Sequence, residues 1–262
     1  MRVAAIQHDI VWEDRDATLA RLGPQVAQAA AGGARLIAVT EMFATGFSMR
    51  THHTAETLDG PTVTWMHARA AEHGIWLAGS VPLLAEDPSS EGPTGRPTNS
   101  LLVVGPDGTR HRYDKIHPFS YAGEHERFRP GSRSVVVDIE GLRIGLSVCY
   151  DLRFADLYWS RDDGVHLELV VANWPGARRH HWRTLLDARA IEGQLYVMGV
   201  NRVGSGGELD YAGDSRIIDP VGEVLAAGAG GETILVADID PATVTATRER
   251  FPFRADRIFA PR

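Results

Sequence analysis

Several short runs are apolar on both faces of an extended chain: 3–6, 36–39, 75–78, 144–148, 169–172 and 195–200. Strands without polar alternation belong in sheets that are covered on both sides. Helical spacing lies between them. Val63, Met66 and Ala70 share one face of PTVTWMHARAAEHG. Trp182, Leu185 and Arg189 share one face of HHWRTLLDARAIEGQ, with Arg189 the polar exception. In ATLARLGPQVAQAAAGG, the pair Gly23-Pro24 is expected to break or restart the helix.

The order then repeats. VAAIQHD is echoed by RIGLSVCYD, GARLIAVTEM by GVHLELVVANW, and GIWLAGSV by GQLYVMGVNRV. Each half ends in a strand pair joined by a turn, VVGPDGTRHRY in the first and IIDPVGEVLA in the second. The pattern predicts two βαβαββ halves in one α/β domain, residues 1–262. Two helix-covered sheets pack most simply face to face, as a four-layer αββα sandwich with pseudo-twofold halves. The stretch 86–97, EDPSSEGPTGRP, reads as a surface loop.

Composition narrows the function. A net charge of −7 without a basic run argues against nucleic acid or an anionic membrane as partner. No apolar run approaches the roughly 18 residues of a membrane helix. The N-terminus has no secretory signature, and a single cysteine calls for no oxidising compartment. A cytoplasmic location is the expectation.

That cysteine, Cys149, lies in LSVCYDLRF. A lone cysteine is most often a small core residue. A nucleophile would need exposure at the end of an element, a base, and donors for an oxyanion. In open α/β sheets functional groups lie just past strand ends. Glu41 follows LIAVT, Lys115 follows HRYD, and Cys149 follows IGLSV. Alone, Glu41 would be a loop carboxylate and Lys115 a solvated strand end. Together they supply what amide hydrolysis by a thiol requires. A free thiol has a pKa near ~8.5 and needs a base.

EMFATGF, YDKIHPF and CYDLRF resemble the three motifs of the nitrilase (carbon–nitrogen hydrolase) superfamily, in order, and the likeness covers essentially the whole chain as far as RERFPFR. The resemblance implies the αββα fold, a Glu41–Lys115–Cys149 triad, a second glutamate at Glu124, and a homodimer. With AGEHERF, NWPGARRHHW and ARAIEGQLYVMGVNRVG, it points to the ω-amidase branch. That branch acts on the terminal amide of 2-oxoglutaramate-like compounds, through a cysteine thioester. A deaminated-glutathione amidase is the alternative, since its cysteine motif is similar.

On this reading the Tyr150 backbone N–H joins Lys115 at the oxyanion, and Asn173 and Trp174 form pocket wall, Trp174 being equally suited to the core. Arg153 has two readings: it binds a substrate carboxylate, or it ties its turn to Asp151 or Asp156. Arg178, Arg179 and Arg202 are further candidates for the carboxylate. The expected partner is a small amide, with neither cofactor nor metal. A metal-dependent phosphoesterase of like architecture would use Glu41, Asn173 and some of the 11 histidines. Its adjacent pairs His52-His53 and His180-His181 point their side chains apart. A non-catalytic binding module is weakened by the intact triad. The glycine-rich GAGGE precedes the strand TILVADID, not a helix, so it is no phosphate loop.

Overall fold

A computed structural model describes residues 1–84, 95–161 and 164–258. Most of the loop expected at 86–97 lies outside the described residues. The first half runs β1 (Arg2–Gln7), α1 (Arg15–Ala31), β2 (Leu36–Ala38), α2 (Thr51–Thr54), α3 (Pro61–His73), β3 (Trp76–Leu83), β4 (Thr98–Val104), β5 (Arg110–Asp114) and α4 (Glu124–Arg127). The second runs β6 (Val136–Ile139), β7 (Leu142–Val148), α5 (Ala155–Trp159), β8 (Leu167–Ala172), α6 (Arg179–Gly193) and β9 (Tyr196–Asn201). A hairpin of β10 (Val203–Gly206) and β11 (Leu209–Ala212) follows, then β12 (Arg216–Ile218), β13 (Val224–Ala227), β14 (Thr233–Asp238) and α7 (Pro241–Arg250).

The strands form two six-stranded sheets, ordered β14-β1-β2-β3-β4-β5 and β13-β12-β9-β8-β7-β6. The expected repeat is present, with one addition. The strand that follows each half pairs into the other half's sheet, β6 after the first half and β14 after the second. β6 pairs antiparallel with β7, and β14 pairs antiparallel with β1 across Arg2↔Asp238 to Gln7↔Thr233. Each sheet thus takes its outermost strand from the chain that follows the opposite half.

Period-two burial explains the layers. Val3 and Ala5 of β1 pack in one core with residues of the second sheet, including Leu146, Val148 and Val200. Ala4 and Ile6 point the other way, into a core with Leu22 and Val26 of α1 and Val63 and Met66 of α3. Ala5, Ala38 and Ala78 form one cross-strand row facing the second sheet. Their small side chains let the sheets approach. On the far side, Trp182, Leu186 and Ala190 of α6 bury against the second sheet. Gly199 makes room there, since a Cβ would stand 2.4 Å from Leu186 Cδ1.

Two details differ from expectation. Helix α1 runs unbroken through Gly23-Pro24. Pro24 lies exposed while Leu19, Leu22, Val26 and Ala29 are buried. The carbonyl that loses its partner to proline is therefore on the wet side of the helix, and the buried stripe holds the helix together. Arg189, the polar residue on the inner face of α6, is buried and donates through Nη2 to Leu152 O at 2.9 Å. It ties α6 to the turn that follows Cys149.

Candidate active site

The three strand exits converge. Beyond β2, the Val39 and Ser80 amides extend the pairing with β3, donating to Ala78 O and Thr40 O. Met42 then takes φ 40° and turns the chain, leaving Glu41 fully buried. Lys115 directly follows β5. Its N–H donates to Asn99 O and its carbonyl accepts from Gly131 N. Only glycine fits at 131, because a Cβ would lie 2.0 Å from Asp114 O.

Cys149 directly follows β7 and takes φ 49°, a left-handed conformation that costs a non-glycine residue on the order of 1 kcal/mol or more. It opens a tight 3₁₀ turn, 149–153. Tyr150 is the next residue, and amides in the first turn of a helix lack partners within it. The buried Asp151 carboxylate holds this turn in place. It accepts from Val148 N (3.0 Å), Tyr113 Oη (2.7 Å) and His117 N (3.0 Å), and its Oδ1 stands 2.8 Å from His117 Nδ1. Tyr113 and His117 flank Lys115, so Asp151 locks the lysine and cysteine segments to each other.

Lys115 Nζ donates to Glu41 Oε1 (2.9 Å) and to Glu124 Oε1 and Oε2 (3.0 and 2.8 Å). Asn99 Nδ2 bridges the same two carboxylates at 2.8 and 3.1 Å. Its orientation is fixed by Ser80 Oγ, which donates to Asn99 Oδ1. Glu41 Oε2 accepts from Asn173 N at 2.8 Å, and Asn173 Nδ2 donates to Glu41 O. Glu124, fully buried, also accepts from Phe119 N.

These neighbours set the protonation states. Burial alone would favour neutral Lys115, but Glu124, Glu41 and Cys149 together hold the ammonium above its ordinary range. Burial pushes the Glu124 carboxyl up, opposed by Lys115. Burial and then the Glu41 charge push the Cys149 thiol well up, with Lys115 pulling it back. These influences favour the neutral thiol at rest, with the Glu41 carboxylate close enough to act on it. Moving the thiol proton to Glu41 leaves the charge of the buried cluster unchanged, which keeps the transfer accessible in a dry site.

Cys149 opens onto a cavity of about 260 Å³. Its wall includes Trp12, Phe47, Phe119, Tyr150, Arg153, Asn173, Trp174, Arg178 and Tyr211. Trp174 is both core and wall: its ring packs 5.5 Å from Trp182 and lies 4.7 Å beneath the Arg153 guanidinium. Arg153 bonds neither Asp151 nor Asp156. Its Nη2 stands 3.2 Å from His181 Nδ1. Arg178 also lines the cavity, over the Phe119 ring. Arg179 pairs instead with Asp214, and Arg202 is buried against Asp9.

Asn99, the Asp151 lock and Tyr211 were not singled out by the motifs as parts of the site. Asp151 had a usable signal, since CYD and YDKIH each carry residues of the lock. Asn99 is the second residue of β4 and had none.

Among the described residues no helix is long and apolar enough to cross a membrane, and no three His, Cys, Asp or Glu side chains group as metal ligands. Comparison with known proteins agrees with the geometry. The family model for carbon-nitrogen hydrolase matches residues 2–249. The chain is 41% identical to omega-amidase YafV of Escherichia coli over 255 residues, 96% of this chain and 94% of that one. It is 32% identical to the 2-oxoglutaramate amidase of Bacillus subtilis over 225 residues, 84% of this chain and 83% of the other. The crystal structure of XC1258 from Xanthomonas campestris, a CN-hydrolase superfamily protein with an arsenic adduct in its active site, superposes with a TM-score of 0.92 at 37% identity, covering 99% and 97% of the two chains. With its sandwich of two sheets, a thiol, a lysine and a glutamate meeting at three strand exits and a second glutamate joining them from the start of α4, the chain belongs to the carbon-nitrogen hydrolase family.

Proposed function

We propose that this carbon–nitrogen hydrolase cleaves the terminal amide of a short carboxylate-bearing ω-amide such as 2-oxoglutaramate, releasing ammonia and the acid. The observation that carries this reading is the juxtaposition of the Glu41–Lys115–Glu124 cluster at Cys149 with two cavity-lining arginines, Arg153 and Arg178. The names of the ω-amidase and 2-oxoglutaramate amidase relatives support it.

In the first step the Cys149 sulfur attacks the amide carbon as its proton passes to Glu41. The carbonyl π-pair moves to oxygen, held by the Lys115 ammonium and the Tyr150 N–H. Such pre-placed donors contribute about 3–4 kcal/mol each. Glu41 then protonates the nitrogen, the C–N bond breaks and ammonia leaves. Water attacks the thioester and gives its proton to Glu41. The C–S bond breaks, and the same proton returns to sulfur. Glu124 and Asn99 hold Lys115 and Glu41 in register. Asn173 fixes Glu41 from the wall side, and Trp174 supports Arg153. A guanidinium receives a carboxylate in a two-point fork, which suits Arg153 for the substrate's distal acid.

The site draws on both halves, so they act as one domain. We also place the enzyme in the cytoplasm as a homodimer. Ile191, Val221 and Phe251, exposed by 52, 62 and 65%, surround one surface groove and support an apolar contact. A monomeric mass by light scattering at micromolar concentration would remove the dimer.

The substrate assignment is tested by ammonia release from 2-oxoglutaramate, succinamate and a neutral amide of matching length. The acids are expected to be cleaved at least tenfold faster, and Arg153→Met should reduce that advantage through weaker binding. Equal rates on acid and neutral amide would remove the ω-amide reading and leave the amidase.

A further inference from the structure

Tyr211 lies on β11, in the hairpin that belongs to neither large sheet. Its side chain is 6% exposed and borders the same cavity as Cys149 and Arg178. The ring is fixed from behind by the Arg202 guanidinium, 4.5 Å from its centroid. Arg202 is itself immobilised, donating to Asp9 Oδ1 (2.9 Å), Ile10 O (3.2 Å) and Ser205 O (3.0 Å). Buried phenols ordinarily find a hydrogen-bond partner, as Tyr113 does in Asp151. Among the described residues the Tyr211 hydroxyl has none, and the cavity that it borders is where it meets one.

Burial first, then the charges of Glu41 and Cys149, push the phenol up to about 12, while Arg202 and Arg178 pull it down. The hydroxyl is therefore a permanent donor. The wall of the cavity that Tyr211 borders also includes Cys149 and Arg178. In a 2-oxo acid ω-amide with its amide at Cys149 and its carboxylate at the arginines, the keto group adjoins the carboxylate. Tyr211 borders the same cavity as Cys149 and both arginines.

We infer that Tyr211 is a specificity-determining residue whose hydroxyl donates a hydrogen bond to the 2-oxo oxygen of the substrate. This rests on the ω-amide reading and names the part of the substrate that the arginines leave unread. A saturated ω-amide lacks that acceptor and leaves the buried hydroxyl unpaired, the kind of mismatch by which polar sites reject analogues.

The test compares wild type and Tyr211→Phe on 2-oxoglutaramate, on glutaramate, which has CH₂ in place of the keto group, and on neutral valeramide. Phenylalanine keeps the ring over Arg202, and an unchanged melting temperature verifies the fold. We expect kcat/KM on 2-oxoglutaramate to fall about tenfold, the scale of one neutral hydrogen bond, with glutaramate and valeramide changed less than twofold. Equal losses on the two acids alone would assign the hydroxyl to the carboxylate. Equal losses on all three would assign it to the scissile amide. No loss would leave it without a role. Each of these three outcomes overturns the inference. The ω-amide reading fails separately, if wild type cleaves glutaramate no better than valeramide. The ratio of the two Tyr211→Phe effects, keto against saturated, still reads Tyr211 in that case.

Discussion

Gln7 ends β1 and Cys149 directly follows β7, the first helix-linked strand of each half. The two exits are used differently. Gln7 is fully buried, its Nε2 donating to Gly231 O and its Oε1 accepting from Ser215 N. The glycine-rich GAGGE closes over it, so that a Cβ at Gly228 would touch its amide at 3.0 Å. Cys149 instead faces a cavity, beneath the segment that brings Lys115 and Glu124. The second strands make a similar pair. Glu41 and Asn173 are counterparts, and they bond each other across the pseudo-twofold. Even the supports match: Met42 N donates to Ser80 Oγ, and Trp174 N donates to Asn201 Oδ1. The repeat thus preserves the places where backbone leaves a sheet. Chemistry arises only where the covering segment carries charge rather than glycine.

Replacing Glu41 by Gln removes the base but keeps the shape, and should sharpen that contrast most. Turnover is expected to fall about 10³-fold, within the range for general-base loss. Alkylation of Cys149 by iodoacetamide should slow in parallel, because in the proposed mechanism Glu41 accepts the thiol proton. Alkylation at the wild-type rate would contradict that role.

Lys115→Gln tests the covering segment. About 10²-fold loss in kcat is expected, the scale of one oxyanion donor. Two buried carboxylates then lose their cation, so a urea melt should also show about 3–5 kcal/mol less stability. Normal turnover would make Lys115 a structural ion alone.

On the inactive side, His8 directly follows Gln7 and is buried, with Nε2 3.1 Å from Thr40 Oγ1. Burial, chiefly, lowers its pKa to about 4. Between pH 6.5 and 4 the unfolded chain binds the proton and the folded one does not. Stability from this group is therefore complete above about pH 6.5 and is lost as pH falls through 4, by up to about 3 kcal/mol. His8→Gln should flatten that part of the curve. An unchanged slope would assign it elsewhere.

Gln7→Leu should have the smallest effect. It leaves Ser215 N and Gly231 O unpaired and should cost about 1–3 kcal/mol in a denaturant melt. Turnover per folded molecule should stay within twofold of wild type. A large fall in kcat would show that this exit also takes part in chemistry.

The apolar runs marked the strands before Glu41 and Cys149, and the Pro-Asp-Gly turn marked the strand before Lys115, so all three were legible as candidates from the sequence. The exchange of β6 and β14 was not, because edge strands carry no pattern that names their neighbour. Asn99 was invisible for a related reason: its role depends on Ser80 orienting its amide, a contact between strands. The continuity of α1 through Pro24 was hidden because local propensity was overruled by burial of the opposite face. Arg153 had two readings that only side-chain direction could separate, and His181 and Trp174 set that direction.

The most direct test of the account is acid quench during turnover of an ω-amide, followed by mass spectrometry of the Cys149 peptide. The account predicts a mass gain equal to the substrate acyl group on Cys149. The gain should decay as the acid product forms, and both adduct and ammonia release should be absent in Cys149→Ala. Ammonia release by Cys149→Ala at the wild-type rate, with no adduct on the wild-type peptide at any quench time, would contradict it.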